Sequence, residues 1–103
     1  MKLNLLERFK ILQMLPQEGN FVTLNIVKTL QENLAPTEEE FKKYEIIQEG
    51  EQTKWNEKGL EEKEIVIGEK ATDIIVEALE KLDKEKKITP QHITIYKKFI
   101  EKE

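Results

Sequence analysis

Between residues 69 and 86 the chain sets Ala71, Ile74, Ile75, Ala78, Leu79 and Leu82 at i, i+3, i+4, i+7, i+8 and i+11. At 3.6 residues per turn those positions form one stripe, so the segment is an amphipathic helix whose apolar side must be covered. Glu77–Lys81 and Glu80–Lys84, each with the acid N-terminal to the base at i,i+4, brace its outer face. The rest of the chain has to supply the layer that covers the stripe.

Shorter periodic segments are available for that. Asn4 can cap a helix whose apolar face is Leu5, Leu6, Phe9 and Leu12, widened by Ile11 and Leu15, and Pro16 ends it. A second helix is expected over residues 23–34, with Leu24, Val27 and Leu30 on one side and Ile26 beside them. Thr37 followed by Glu40 is a capping box, and Glu38 and Glu39 also suit the positive end of a helix dipole. The short helix it opens reaches residue 45, with Phe41 and Tyr44 facing inward. Residues 46–49 and 52–56 read as two strands around Gly50-Glu51, and residues 63–67 as a third, with residues 57–62 a polar loop. Thr89-Pro90 starts a last helix with Ile93, Tyr96 and Ile100 inward, flanked by Ile95 and Phe99. The expected fold is a single α+β domain over residues 1–103, with about five helices and a two- or three-stranded antiparallel sheet.

A chain of 103 residues can fold as one domain without staples. It has no cysteine, hence neither a disulfide framework nor a thiolate metal site. No apolar run suits a signal peptide or a membrane span, so the expected setting is the cytoplasm. The net charge of −4 is uneven: residues 1–36 carry +1, residues 37–80 carry −8 and residues 81–103 carry +3. An acidic middle disfavours contact with a phosphate backbone, where affinity comes from Lys and Arg.

The reactive inventory is sparse. There is no serine, one arginine (Arg8) and one histidine (His92). His92 falls early in the last helix with no thiol or serine hydroxyl to activate, which makes it structural. The carboxylates of Glu61, Glu62 and Glu64 sit in or beside a loop, where solvated charge is the ordinary outcome. Glu38, Glu39 and Glu40 start a helix rather than hold a metal. Four single glycines assemble neither a P-loop nor a dinucleotide fingerprint. No cofactor, metal or small-molecule substrate is expected, and no catalysis. The only tryptophan, Trp55, lies in a polar strand between Lys54 and Asn56. It either covers the sheet against the long helix or anchors a partner, a role in which tryptophan is enriched.

The order of three helices followed by a β-hairpin resembles a winged helix, with residues 24–34 and 37–45 as the helix-turn-helix pair and residues 48–55 as the wing. That resemblance implies DNA binding, through Lys84, Lys86, Lys87, Lys97 and Lys98 of the basic C-terminal segment. Glu38, Glu39 and Glu40 stand where base-reading side chains would point, however, and Glu49 and Glu51 occupy the wing. The run Ile65-Val66-Ile67-Gly68-Glu69-Lys70-Ala71-Thr72-Asp73-Ile74-Ile75-Val76-Glu77-Ala78-Leu79 resembles small proteins encoded by bacteriophages and prophages. This implies an accessory or assembly role inside a bacterial host cell. The sequence thus points to a non-catalytic protein-interaction module, self-associating as a dimer through the long or the C-terminal helix or binding a protein partner. Trp55, Leu79 and Leu82 are the candidate contact residues. A DNA-binding regulator, or an acidic mimic of nucleic acid that inhibits a nucleic-acid enzyme, is the alternative.

Overall fold

The computed structural model describes residues 1–101. A short strand β1 (Lys2–Leu3) leads into α1 (Leu5–Met14), α2 (Phe21–Leu34) and α3 (Glu38–Lys43). A hairpin of β2 (Ile47–Glu49) and β3 (Gln52–Lys54) follows, then a 3-10 turn (Glu57–Leu60) and β4 (Lys63–Glu64). The long helix α4 (Glu69–Lys84) comes next. The last helix opens as a 3-10 turn at Pro90–His92, is α-helical over Ile93–Tyr96 (α5), and widens to a π turn over Lys97–Glu101. The architecture is α+β, as the periodicity required. None of these helices is long and apolar enough to cross a membrane.

The helix starts follow from their caps. Asn4 and Thr37 each accept from the backbone N–H three residues on, and Glu7 and Glu40 return the bond to the cap N–H, completing two capping boxes. Asn20 caps α2 through Thr23 N, so this helix begins at Phe21, two residues before the expected start. The sheet also differs from expectation. β4 does not join the hairpin; it pairs antiparallel with β1, Lys2 opposite Glu64 and Leu3 opposite Lys63, making two separate two-stranded sheets. Two residues at the start of the chain carry no alternation, so this pairing has no local signature.

α1 lies at the centre, touching α2, α4, α5 and the 3-10 turn after the hairpin. The core joins Leu3, Ile11, Leu15, Val27, Leu30, Leu34, Ile65, Ala71, Ile75, Leu79, Ile95 and Phe99. Two faces are rotated from their expected phase, and a third, that of α3, is buried only in part. On α1 the buried line is Leu5, Arg8, Ile11 and Leu15, while Leu6, Phe9 and Leu12 are half-buried at its margin. The C-terminal segment turns His92, Ile95 and Phe99 inward, leaving Ile93 exposed. On α3, Tyr44 is buried beyond the last turn while Phe41 is exposed. α1 and the C-terminal segment each offer two apolar stripes, and packing against the neighbouring helices selects one.

Candidate functional site

One buried and one partly buried ion pair fix the frame on which any site must be built. Arg8 is 2% exposed. Its Nη1 and Nη2 donate to Glu40 Oε2 and Oε1 at 2.6 and 3.1 Å, its Nε to Leu34 O at 2.9 Å, and its Nη2 also to Ala35 O at 3.0 Å. One guanidinium thus ties α1 to the C-terminal carbonyls of α2 and the N-terminal turn of α3. The Arg8 hydrogen bonds hold the Glu40 carboxyl down at about 2, against the opposing pull of burial, with the Thr37 N–H assisting. In the second pair, Lys98 Nζ donates to Glu7 Oε1 and to Lys2 O, each at 2.8 Å, and to Glu62 Oε2. Burial alone would lower the Lys98 pKa, but the Glu62 and Glu7 carboxylates outweigh it and the net shift is upward. Among the described residues Glu7 Oε2 is buried without a partner.

Against this frame, α1 and the hairpin enclose an open cleft of about 560 Å³. Its α1 wall is Leu6, Phe9, Lys10, Leu12 and Gln13; the opposite wall is residues 51–55, and Gln91 closes one end. Trp55 belongs to this second wall. It is half-buried, and its indole lies 5.3 Å from the Phe9 ring, centroid to centroid, at an interplanar angle of 42°. Behind it, Gly59 lets the chain pass close: a Cβ there would stand 2.7 Å from Trp55 Nε1. Asn56 starts that turn, its side chain accepting from Lys58 N and donating to Lys43 O at 3.1 Å. The tryptophan is therefore packed against an aromatic ring and close to the Gly59 backbone, and remains half-buried.

The three expected contact residues do not come together. Trp55 lines the cleft against α1, not the long helix. Leu79 is 0% exposed and lies inside the core, so its side chain has nothing to offer a partner, and a charge there disrupts folding before assembly. Leu82 is half-buried in a separate shallow groove with Met14 and Pro16. Of the C-terminal lysines, Lys98 is committed to Glu7 and Glu62, and Lys87 lies 3.9 Å from Glu85. His92 is 9% exposed. Its Nδ1 accepts from Thr89 N at 3.0 Å, which leaves the proton on Nε2; burial, then the charge of Lys10, lowers its pKa. Among the described residues no three acids or histidines stand close enough together to hold a metal ion.

Sequence reasoning missed Phe9, Lys10 and Gln13 as cleft residues, because Phe9 fits the core-facing pattern of an amphipathic helix. Gly59, four residues after the only tryptophan, was the one local hint of a close approach. No protein family, curated relative or solved structure matches this chain.

Proposed function

We propose that this protein is a non-catalytic interaction module that binds a protein partner in the cleft between α1 and the hairpin, with Trp55 as its anchor. The observation that carries the reading is the half-buried Trp55, packed on Phe9 and against Gly59 in the wall of an open concavity. A tryptophan already packed in place loses little conformational freedom on binding, which is the property of an interface anchor. An accessory or assembly role inside a bacterial host cell is the setting implied by the likeness of residues 65–79 to phage-encoded proteins.

DNA binding has weaker support. α3, the counterpart of a recognition helix, has six residues, presents Glu38 and Glu39 to solvent and has Glu40 locked onto Arg8. Lys98, one of the five lysines of the basic C-terminal segment, is occupied by two carboxylates.

The test is a sort of yeast-displayed 50-residue fragments of a bacterial proteome against the full chain and its Trp55→Ala variant. Recovered binders should lose roughly 30-fold or more in affinity for the variant, the scale of a hot-spot truncation. Binders that hold both proteins equally, or a sort that enriches nothing, would end the reading.

A further inference from the structure

The two-residue turn Gly50-Glu51 joins β2 to β3, and Gly50 alone of the pair has a positive φ, 59°, as a type II′ turn requires. With that loop length the flanking pair, Glu49 and Gln52, exchanges both backbone hydrogen bonds. The next pair, Gln48 and Thr53, exchanges none, and Ile47 and Lys54 exchange both again. Side chains of an unbonded pair stand close together, and Thr53 Oγ1 does donate to Gln48 Oε1 at 3.2 Å. The backbone N–H and C=O of Thr53 therefore point away from β2. β3 pairs with no other strand among the described residues.

Successive side chains of a strand point to opposite faces. Five consecutive residues, 51–55, nevertheless all border one space. Of these, Gln52–Lys54 form β3, and Thr53, whose backbone groups turn away from β2, is itself one of the residues that line the cleft. One wall of the cleft thus includes the residue whose backbone N–H and C=O are left open by the hairpin, and the Phe9–Trp55 pair lines the same space.

Resting on the reading of this cleft as the interaction surface, we infer that its occupant is an extended peptide segment that adds to the outer edge of β3 as a third strand. The segment exchanges backbone hydrogen bonds with Thr53 and settles one apolar side chain against Phe9 and Trp55. A helical occupant satisfies its own backbone and would bury the Thr53 groups without partners, which is costly. Lys10 stands at the α1 wall with Gln13 Oε1 as its hydrogen-bond partner, at 3.3 Å, and no carboxylate within ion-pair distance among the described residues. An acidic residue beside the apolar one in the bound segment completes the match.

The probe is a library of random 12-residue peptides displayed on phage and selected against the full chain. The best sequences are then synthesised with one backbone amide at a time N-methylated. Strand addition predicts at least a tenfold loss of affinity at alternate positions and little change between them. Thr53→Pro removes a donor that the hairpin does not use, as proline is tolerated on an edge. It should weaken the same peptides at least tenfold while the near-ultraviolet signal of Trp55 persists. Peptides that depend on Trp55 but show no alternation, or that turn helical on binding, overturn strand addition and leave the cleft standing. Peptides indifferent to Trp55→Ala overturn both, as does a selection that enriches none.

Discussion

Arg8 is the only arginine in the chain, and its side chain is buried. Lysine could supply the charge but not the planar fork that meets a carboxylate and two carbonyls at once. Arg8→Lys should therefore lower stability by roughly 2 kcal/mol, and Arg8→Ala, which strands Glu40, by about 3–5 kcal/mol. The urea midpoint of unfolding followed by circular dichroism checks both. Exchanging the pair together for Met and Leu should cost less than Arg8→Ala alone, because no buried charge is left unpaired.

The same pair sets the acid stability. The Glu40 carboxyl titrates at about 2 in the folded chain against 4.5 as an ordinary glutamate. A depressed carboxylate stabilises above its unfolded pKa, and the contribution is lost as pH falls from 4.5 toward 2. It amounts to on the order of 3 kcal/mol. Urea unfolding of the protein and of Glu40→Gln should show the difference between them shrinking through that window. His92 acts higher on the scale. Burial and Lys10 depress its folded pKa below 6.5. The unfolded chain therefore takes up the proton first, and stability drops as pH falls through 6.5. His92→Gln should remove that part of the slope; an unchanged slope between pH 7.5 and 5.5 would show that the imidazole is not held neutral.

At the scale of elements, the hairpin and α1 meet through one contact whose tolerance is narrow. Gly59→Ala places a methyl against the Trp55 indole, which has the Phe9 ring on its other side. The indole must swing toward the cleft mouth, so the emission maximum should shift to the red and stability fall by about 1–3 kcal/mol. An unmoved emission maximum would mean that the turn, not the tryptophan, gives way. The elements themselves differ in how far they can be read from sequence. α4 was legible because Ala71, Ile75 and Leu79 are bounded by charge on the opposite side, so only one stripe can be buried. The caps at Asn4 and Thr37 were legible because a capping box is local. The buried line of α1 was not, because it runs through Arg8, and a guanidinium enters a core only when distant acceptors at residues 34, 35 and 40 await it. The cleft was half legible: a lone tryptophan in a polar hairpin marks one wall, while the opposing wall depends on the phase of α1.

At the scale of the whole molecule, the beginning and the end of the described chain are held together by one ammonium group. Lys98 Nζ reaches Lys2 O and Glu7 Oε1, residues 96 and 91 positions away, and Glu62 beside β4. Glu7 is 2% exposed and its second oxygen has no partner among the described residues, so Lys98, with the Asn4 N–H, is what compensates its charge there. Such a contact forms only when β1, β4 and the C-terminal segment are all docked, and its loss should release them as a unit rather than melt the core. Lys98→Met keeps much of the aliphatic stem and removes the charge. It should cost roughly 2–4 kcal/mol, since it leaves a buried carboxylate without its cation. Amide exchange should rise first at residues 2–3, 63–65 and 93–99, with Ile75 and Leu79 in α4 protected to a higher free energy. Converting Glu7 to Gln in the Lys98→Met background should recover part of the loss, because the neutral amide no longer needs a counter-charge. If exchange instead accelerates evenly through α4, the clasp is part of the global unfolding unit and the two ends do not open on their own.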